Sequence, residues 1–276
     1  MDLRKWYDKY STDCKLKYPS IKTQENYLCS VGTFLKYFEK EVEPKSIPTQ
    51  SIKEWLLTFE TINTRNHKLC AIKSFYEITV GMPIKLDKIP FSKKDKKLPI
   101  VLSQDEIQKM FDVCENIKHK TILALLYSVG LRVGELINLK WSNIDRSRMI
   151  INIIKGKGNK DRQVPLNKDI IPLLETYYRK YKPKEYVLNG QVNLQYSEKS
   201  VLEVVKQLAT KAELSKRVYT HLIRHCSFTH MVENGTDINL IQKIAGHSNV
   251  KTTNIYLHIS HNLISKIHSP LENIKL

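Results

Sequence analysis

Apolar positions in the first part of the chain recur at three- and four-residue spacing, the period that gathers side chains on one stripe of a helix. In Thr23 to Glu41 the stripe is Tyr27, Val31, Phe34, Leu35 and Phe38. Ser51 to Glu60 and Thr64 to Val80 repeat it, with Leu69, Ile72, Phe75 and Tyr76 on the buried side of the second. These segments predict a small helical bundle, closed by Gly81-Met82-Pro83. From Ile89 to Pro99 the period is lost and prolines alternate with a basic run, as in a linker.

Periodicity returns at Ser103-Gln104-Asp105-Glu106, a capping box that starts a helix to about Asn116. Thr121 to Val129 is a strongly apolar helix. Gly130 ends it in a left-handed turn and delivers Arg132 to the start of the next helix. Met149 to Ile154 and Arg162 to Leu166 read as strands with Gly156-Lys157-Gly158-Asn159 as the turn between them. Further helices are expected over Lys168 to Tyr181, Ser197 to Ala212 and Thr220 to Glu233. Asp237 caps Ile238 to Ala245, and Gly246 leaves His247 on a turn. The expected class is mainly α with a small antiparallel β-sheet. Its parts are a helical domain over 1–88, a basic linker over 89–100 and a second domain over 101–276.

Composition sharpens this picture in three ways. A formal charge of +17 on 276 residues implies a polyanionic partner, because such a field attracts phosphate backbones and releases their counterions. The linker lysines serve equally well as solubilising charge or as a cationic strap on DNA. Five widely spaced cysteines, none in a Cys-x-x-Cys pair, fit neither a disulfide framework nor a zinc knuckle, which points to a reducing compartment. No run approaches the ~18 apolar residues of a membrane span, so a cytoplasmic protein is expected.

Candidate chemistry lies in the second half. Arg132, Lys157, His221, Arg224, His247 and Tyr256 follow in order within Gly-Leu-Arg-Val-Gly-Glu-Leu, Gly-Lys-Gly-Asn-Lys-Asp-Arg, His-Leu-Ile-Arg-His, Gly-His-Ser and a tyrosine nine residues on. Cleaving a phosphodiester needs charge stabilisation on the nonbridging oxygens, an activated nucleophile and a proton for the leaving oxygen. The planar donor forks of Arg132 and Arg224 suit the first task. Tyr256 supplies a hydroxyl whose solution pKa is near ~10, so neighbouring cations must lower it or a base must take the proton during attack. His221, three residues from Arg224 on one helix, is placed for that base, and His247 for a hydrogen bond to a nonbridging oxygen. Lys157 in the hairpin is the candidate to protonate the leaving oxygen, with Lys155 and Lys160 beside it as alternates. His221-x-x-x-His225 lacks the glutamate of a zinc protease, and Gly156-Lys157-Gly158 does not continue as a nucleotide-binding loop, so no metal and no cofactor are expected.

The same succession resembles the tyrosine recombinase (phage integrase) family across the whole chain. The resemblance implies an N-terminal SAM-like core-binding domain followed by a DNA breaking-rejoining catalytic domain, and it favours Lys157 among the hairpin lysines. It implies that Glu135 orients Arg132 from the second shell. Arg65, Lys68 and Lys73, on the Thr64 to Phe75 helix, become phosphate contacts on double-stranded DNA, although a solvated face would look the same. Tyr256 would form a 3′-phosphotyrosyl link without ATP. Strand exchange would pass through a Holliday junction held by a homotetramer, alone or with a related recombinase, at a specific recombination site. Ile259, Leu263, Ile264 and Ile267 resemble a tail helix that docks in cis or on a neighbouring subunit. No residues precede the first bundle to form an arm-binding domain, so the chain reads as Xer-like or as belonging to a mobile element. A type IB topoisomerase and a catalytically silent DNA-binding factor on the same scaffold are the alternatives.

Overall fold

The computed structural model describes residues 2–40, 43–93, 100–154, 161–190, 195–247 and 249–259. The chain divides into two compact units, Met1–Lys96 and Lys97–Leu276.

The first unit contains α1 (Leu3–Lys17), α2 (Ile21–Tyr37), α3 (Thr49–Leu57) and α4 (Ile62–Phe75). Side-chain caps at Asp2, Ser20 and Thr61 start three of them, each satisfying a backbone N–H three residues on. The expected long helix from Thr64 to Val80 is α4 followed by a π-helical turn over Tyr76–Val80, which Gly81 closes in the left-handed region. Val31, Phe34, Leu35, Ile52, Trp55, Ile72, Phe75 and Tyr76 fill the core. Its rings meet edge to face, Phe34 and Trp55 at 5.3 Å, the arrangement aromatic quadrupoles favour. Ile89 is buried in the same core, and Asn66 and Ser92 exchange two hydrogen bonds of 2.9 Å, so the first residues of the proline-lysine stretch lie on α4.

The second unit contains α5 (Gln104–Asp112), α6 (Ile117–Ser128), α7 (Val133–Ile137), β1 (Ile144–Asp145), β2 (Ile150–Ile153), β3 (Arg162–Pro165), α8 (Ile171–Tyr181), α9 (Glu198–Lys211), α10 (Thr220–Glu233), α11 (Ile238–Ala245), α12 (Val250–Thr253) and α13 (Ile255–Ile259). The Ser103–Glu106 capping box forms as expected. Its helix stops at Asp112 rather than Asn116, because the Asn116 side chain caps α6 instead, accepting from the N–H groups of Lys118 and His119. The sheet is antiparallel in the order β1-β2-β3, with Ile151 opposite Val164 and Ile153 opposite Arg162. Its two-residue strand β1 is too short to announce itself by alternation. No helix among the described residues is long and apolar enough to cross a membrane.

The unit is organised around α10, where nine of 14 residues are buried. It has no clean polar face because helices surround it, among them α6, α9, α11 and α13. Its far end also holds the start of the unit: His230 Nε2 lies 3.0 Å from the Leu102 carbonyl, and the Leu102 N–H donates to Cys226 Sγ. The near end carries an arginine, Arg224, that is 1% exposed.

Candidate active site

A buried guanidinium needs acceptors, and those of Arg224 are backbone carbonyls. Nη1 donates to Gly130 O, Nη2 donates to Ala245 O at 2.7 Å, and the plane lies 4.6 Å from the Phe228 ring centre. Gly130 makes this possible: it is left-handed (φ 60°), and a Cβ there would come within 2.6 Å of Phe228 Cζ. Nε is buried with no hydrogen-bond partner. Burial, then the nearby Arg132, pushes the Arg224 pKa down to about 9, which leaves it charged at neutral pH.

Arg132 arrives from the other side of the same turn as the residue before α7. Its Nη1 donates to Glu135 Oε1 at 2.8 Å, its backbone N–H donates to Glu135 Oε2 at 2.9 Å, and Nη2 donates to Ala245 O at 3.0 Å. The carbonyl that ends α11 therefore accepts from both arginines. That helix end carries partial negative charge from its unpaired carbonyls, which is where guanidiniums are stabilised.

Glu135 lies beside Arg132. Burial alone would raise its pKa, but hydrogen bonds from the Arg162 side chain and the Arg132 backbone outweigh this and hold it at about 2. Arg162 is a residue of the site that sequence reasoning missed. A signal was present: strand alternation sets Arg162 on the same face as the buried Val164, where a cation requires a partner.

Gly246 (φ 62°) ends α11 and turns the chain so that His247 faces the arginines. His247 Nε2 lies 3.4 Å from Arg224 Nη2, and Nδ1 lies 3.0 Å from the Thr253 hydroxyl, which can serve either tautomer. Burial and then the fields of Arg224 and Arg132 lower its pKa to about 4, so the ring is neutral at pH 7.

Tyr256, on α13, is 1% exposed and shares a buried apolar cluster with Phe228 and Val232 of α10 and Ile241 and Ala245 of α11. Its ring is stacked with that of His247, 6.4 Å between centres and 16° between planes. The nucleophile candidate thus lies in one buried cluster with Arg224 and His247 of its own chain. The sequence left two routes to activation, a pKa lowered by neighbouring cations or a proton removed during attack. In the structure burial raises it, and Arg224 and Arg132 offset only part of that rise.

His221, the expected base, opens the exposed end of α10 and meets His225 at 4.5 Å between ring centres, and the His225 ring centre is 5.7 Å from that of Tyr256. His225 is therefore a second histidine against the phenol. Burial, followed by the influence of His221 and Arg224, lowers its pKa to about 4, and its Nδ1 is buried without a partner. Lys157 and its alternates Lys155 and Lys160, together with the tail residues Leu263, Ile264 and Ile267 and the Ile259 side chain, lie outside the described residues. Among the described residues no cluster of three or more His, Cys, Asp or Glu could hold a metal.

The three predicted DNA contacts of the first unit lie on α4 and are partly buried. Arg65 Nη2 donates to the Phe59 carbonyl at 3.0 Å, Lys68 donates to the Thr33 hydroxyl at 3.0 Å, and Lys73 sits 5.1 Å over the Phe91 ring.

Comparison with known proteins gives the family. Residues 101–262 match the phage integrase family, and residues 6–86 match the phage integrase N-terminal SAM-like domain. A protein of Sinorhizobium fredii named as an integrase/recombinase is 32% identical over 274 residues, covering 96% of this chain and 87% of its own. The tyrosine recombinase XerA of Pyrococcus horikoshii is 35% identical over 206 residues, covering 72% of this chain and 70% of its own. A lambda integrase tetramer bound to a Holliday junction shares the fold, with a TM-score of 0.76 at 16% identity, over 92% of this chain and 76% of that one. With a helical SAM-like unit, a family match across most of the second unit and the arginines, histidine and tyrosine drawn into one buried cluster, the chain belongs to the phage integrase family, the tyrosine recombinases.

Proposed function

We propose that this chain is a site-specific recombinase that cuts and rejoins double-stranded DNA with Tyr256 as nucleophile. The observation that carries the reading is the meeting of Tyr256, His247 and Arg224 in one buried cluster of one chain. A phosphodiester seated there would take donors from Arg132, Arg224 and His247 on its nonbridging oxygens. The orphaned Arg224 Nε is a donor waiting for such an acceptor. Tyr256 Oη attacks phosphorus, its proton passes to the His221–His225 pair, and the P–O5′ bond breaks as Lys157 protonates the departing 5′ oxygen. The 3′-phosphotyrosyl bond conserves the energy of the bond it replaces. A 5′-hydroxyl from a second duplex then attacks it, returning the proton to the phenol, so neither ATP nor a metal ion enters the balance. A phenol with a raised pKa cannot wait as phenolate, since at pKa ~10 this already costs about 4 kcal/mol at neutral pH; deprotonation accompanies attack.

Residues 1–88 act as the core-binding domain and 101–276 as the catalytic domain, joined by the basic linker over 89–100. Arg65, Lys68 and Lys73 exchange their present partners for DNA phosphates, with Glu135 holding Arg132 in place. A homotetramer, alone or with a related recombinase, carries two duplexes through a Holliday junction in the cytoplasm, serving either chromosome maintenance or a mobile element. The lambda integrase tetramer on such a junction supports this reading by likeness of fold.

The test is a set of nicked suicide duplexes built on candidate inverted-repeat sites, incubated with the full chain in EDTA without ATP. A covalent protein–DNA adduct is expected, lost in Tyr256→Phe with little change in DNA affinity. If Tyr256→Phe still forms the adduct, the nucleophile is misassigned. If relaxation without strand exchange is the only activity, the enzyme is a type IB topoisomerase.

A further inference from the structure

Arg162 opens β3 and points toward the interior with its side chain only 9% exposed. Nη1 donates to Glu135 Oε1 and Nη2 donates to Glu135 Oε2, each at 2.7 Å, while Nε donates to the Ile244 carbonyl at 2.6 Å. With two further bonds from Arg132, Glu135 accepts four in all, the capacity of a carboxylate. The forked pair fixes both position and rotation of the carboxylate, which a single contact would not. On its other edge Arg162 lies against Gly246: a Cβ there would come within 3.0 Å of Arg162 Cδ and 3.3 Å of Nε. The missing side chain of Gly246 makes room for this arginine.

Arg162 is thus one bond removed from each half of the phosphate grip. Through Glu135 it reaches Arg132, and through Ile244 and Gly246 it reaches the turn that carries His247. Each of its three nitrogens donates inside the fold and its side chain is almost wholly buried, which argues against a direct contact with DNA.

We propose that Arg162 is a positioning residue, which locks Glu135 so that Arg132 presents a single orientation and braces the Ile244–Gly246 turn so that His247 faces the scissile phosphate. The proposal deepens the recombinase reading and takes from it the identity of the anion that is gripped.

Arg162→Lys tests it, since a lysine keeps the charge and loses the fork. Three measurements on the full chain are needed: the rate of adduct formation on the suicide duplex across a range of pH, affinity for that duplex, and the titration of the His247 ring followed by NMR without DNA. Cleavage is expected to fall about 100-fold, the scale of an ångström-sized misplacement, with affinity barely changed. The acid limb of the cleavage profile should move to higher pH, because Glu135 loses donors, and the His247 titration should shift. Unchanged cleavage with an unchanged His247 titration would reduce Arg162 to packing. Affinity falling in step with cleavage would make it a DNA contact, which also overturns the proposal. If the parent chain forms no adduct, the recombinase reading fails alone, and the His247 titration still decides the role of Arg162. Should Arg162→Lys not fold, Arg162→Gln, whose amide can still donate to Ile244 O, carries the same expectations.

Discussion

Glu135 shows how one carboxylate ties stability to the site. Its pKa falls from the ordinary 4.5 to about 2, because the donors of Arg162 and Arg132 overcome the effect of burial. The unfolded chain therefore binds this proton first, and the stabilisation is whole above pH about 4.5 and lost as pH falls through about 2. Its size is on the order of 3 kcal/mol. His225 and His247 add to acid lability from a higher range: with folded values near 4 against an ordinary 6.5, unfolding takes up protons as pH drops between those values. Urea unfolding at a series of pH values is expected to show stability declining from about pH 6.5 downward. Glu135→Gln should be less stable at neutral pH and show a shallower dependence on pH between 4.5 and 2. A curve for Glu135→Gln parallel to the parent's in that window would remove Glu135 from the account.

Among the elements, α10 is the axis on which the site is assembled, and Gly130 sets how closely α6 and its following turn approach it. Gly130→Ala combines a left-handed φ of 60° with a Cβ 2.6 Å from Phe228 Cζ. A loss of about 2 kcal/mol or more is expected, since strain and overpacking add. Because Phe228 carries the Arg224 guanidinium on its face, adduct formation should fall further than stability alone explains. Equal stability of the two proteins in urea would show that the turn relaxes around a methyl group. This turn was legible from sequence, since an apolar helix running into Gly-Leu-Arg has few other ways to stop. The limits of α10 and α11 were legible for a similar reason: Asn234-Gly235 and Asp237 are unambiguous punctuation. What was not legible depends on contacts between distant segments. Arg162 reads as an ordinary strand residue until Glu135, 27 positions earlier, closes on it. The burial of Tyr256 depends on α13 packing against α10, which no local period encodes. The break between α4 and the π-helical turn left the apolar stripe intact and so escaped notice.

On the scale of the whole molecule, the charge of +17 governs encounter with DNA rather than fold. Affinity should fall steeply with salt, by roughly 1,000-fold or more between 50 and 200 mM if six or more phosphates are neutralised. Fluorescence anisotropy on duplexes of unrelated sequence measures this directly. A flat salt response would mean that the basic surface serves solubility and that recognition lies elsewhere. The same titration on Lys68→Ala and Lys73→Ala reports whether α4 contributes to the slope.

Ala245 ends a helix of eight residues, and its one carbonyl moors two guanidiniums, one from α10 and one from the start of α7. The two arginines therefore cannot drift independently. Fraying of that last helical turn releases both together, so damage there and damage to either arginine belong to one lesion, and combining them costs little more than the first.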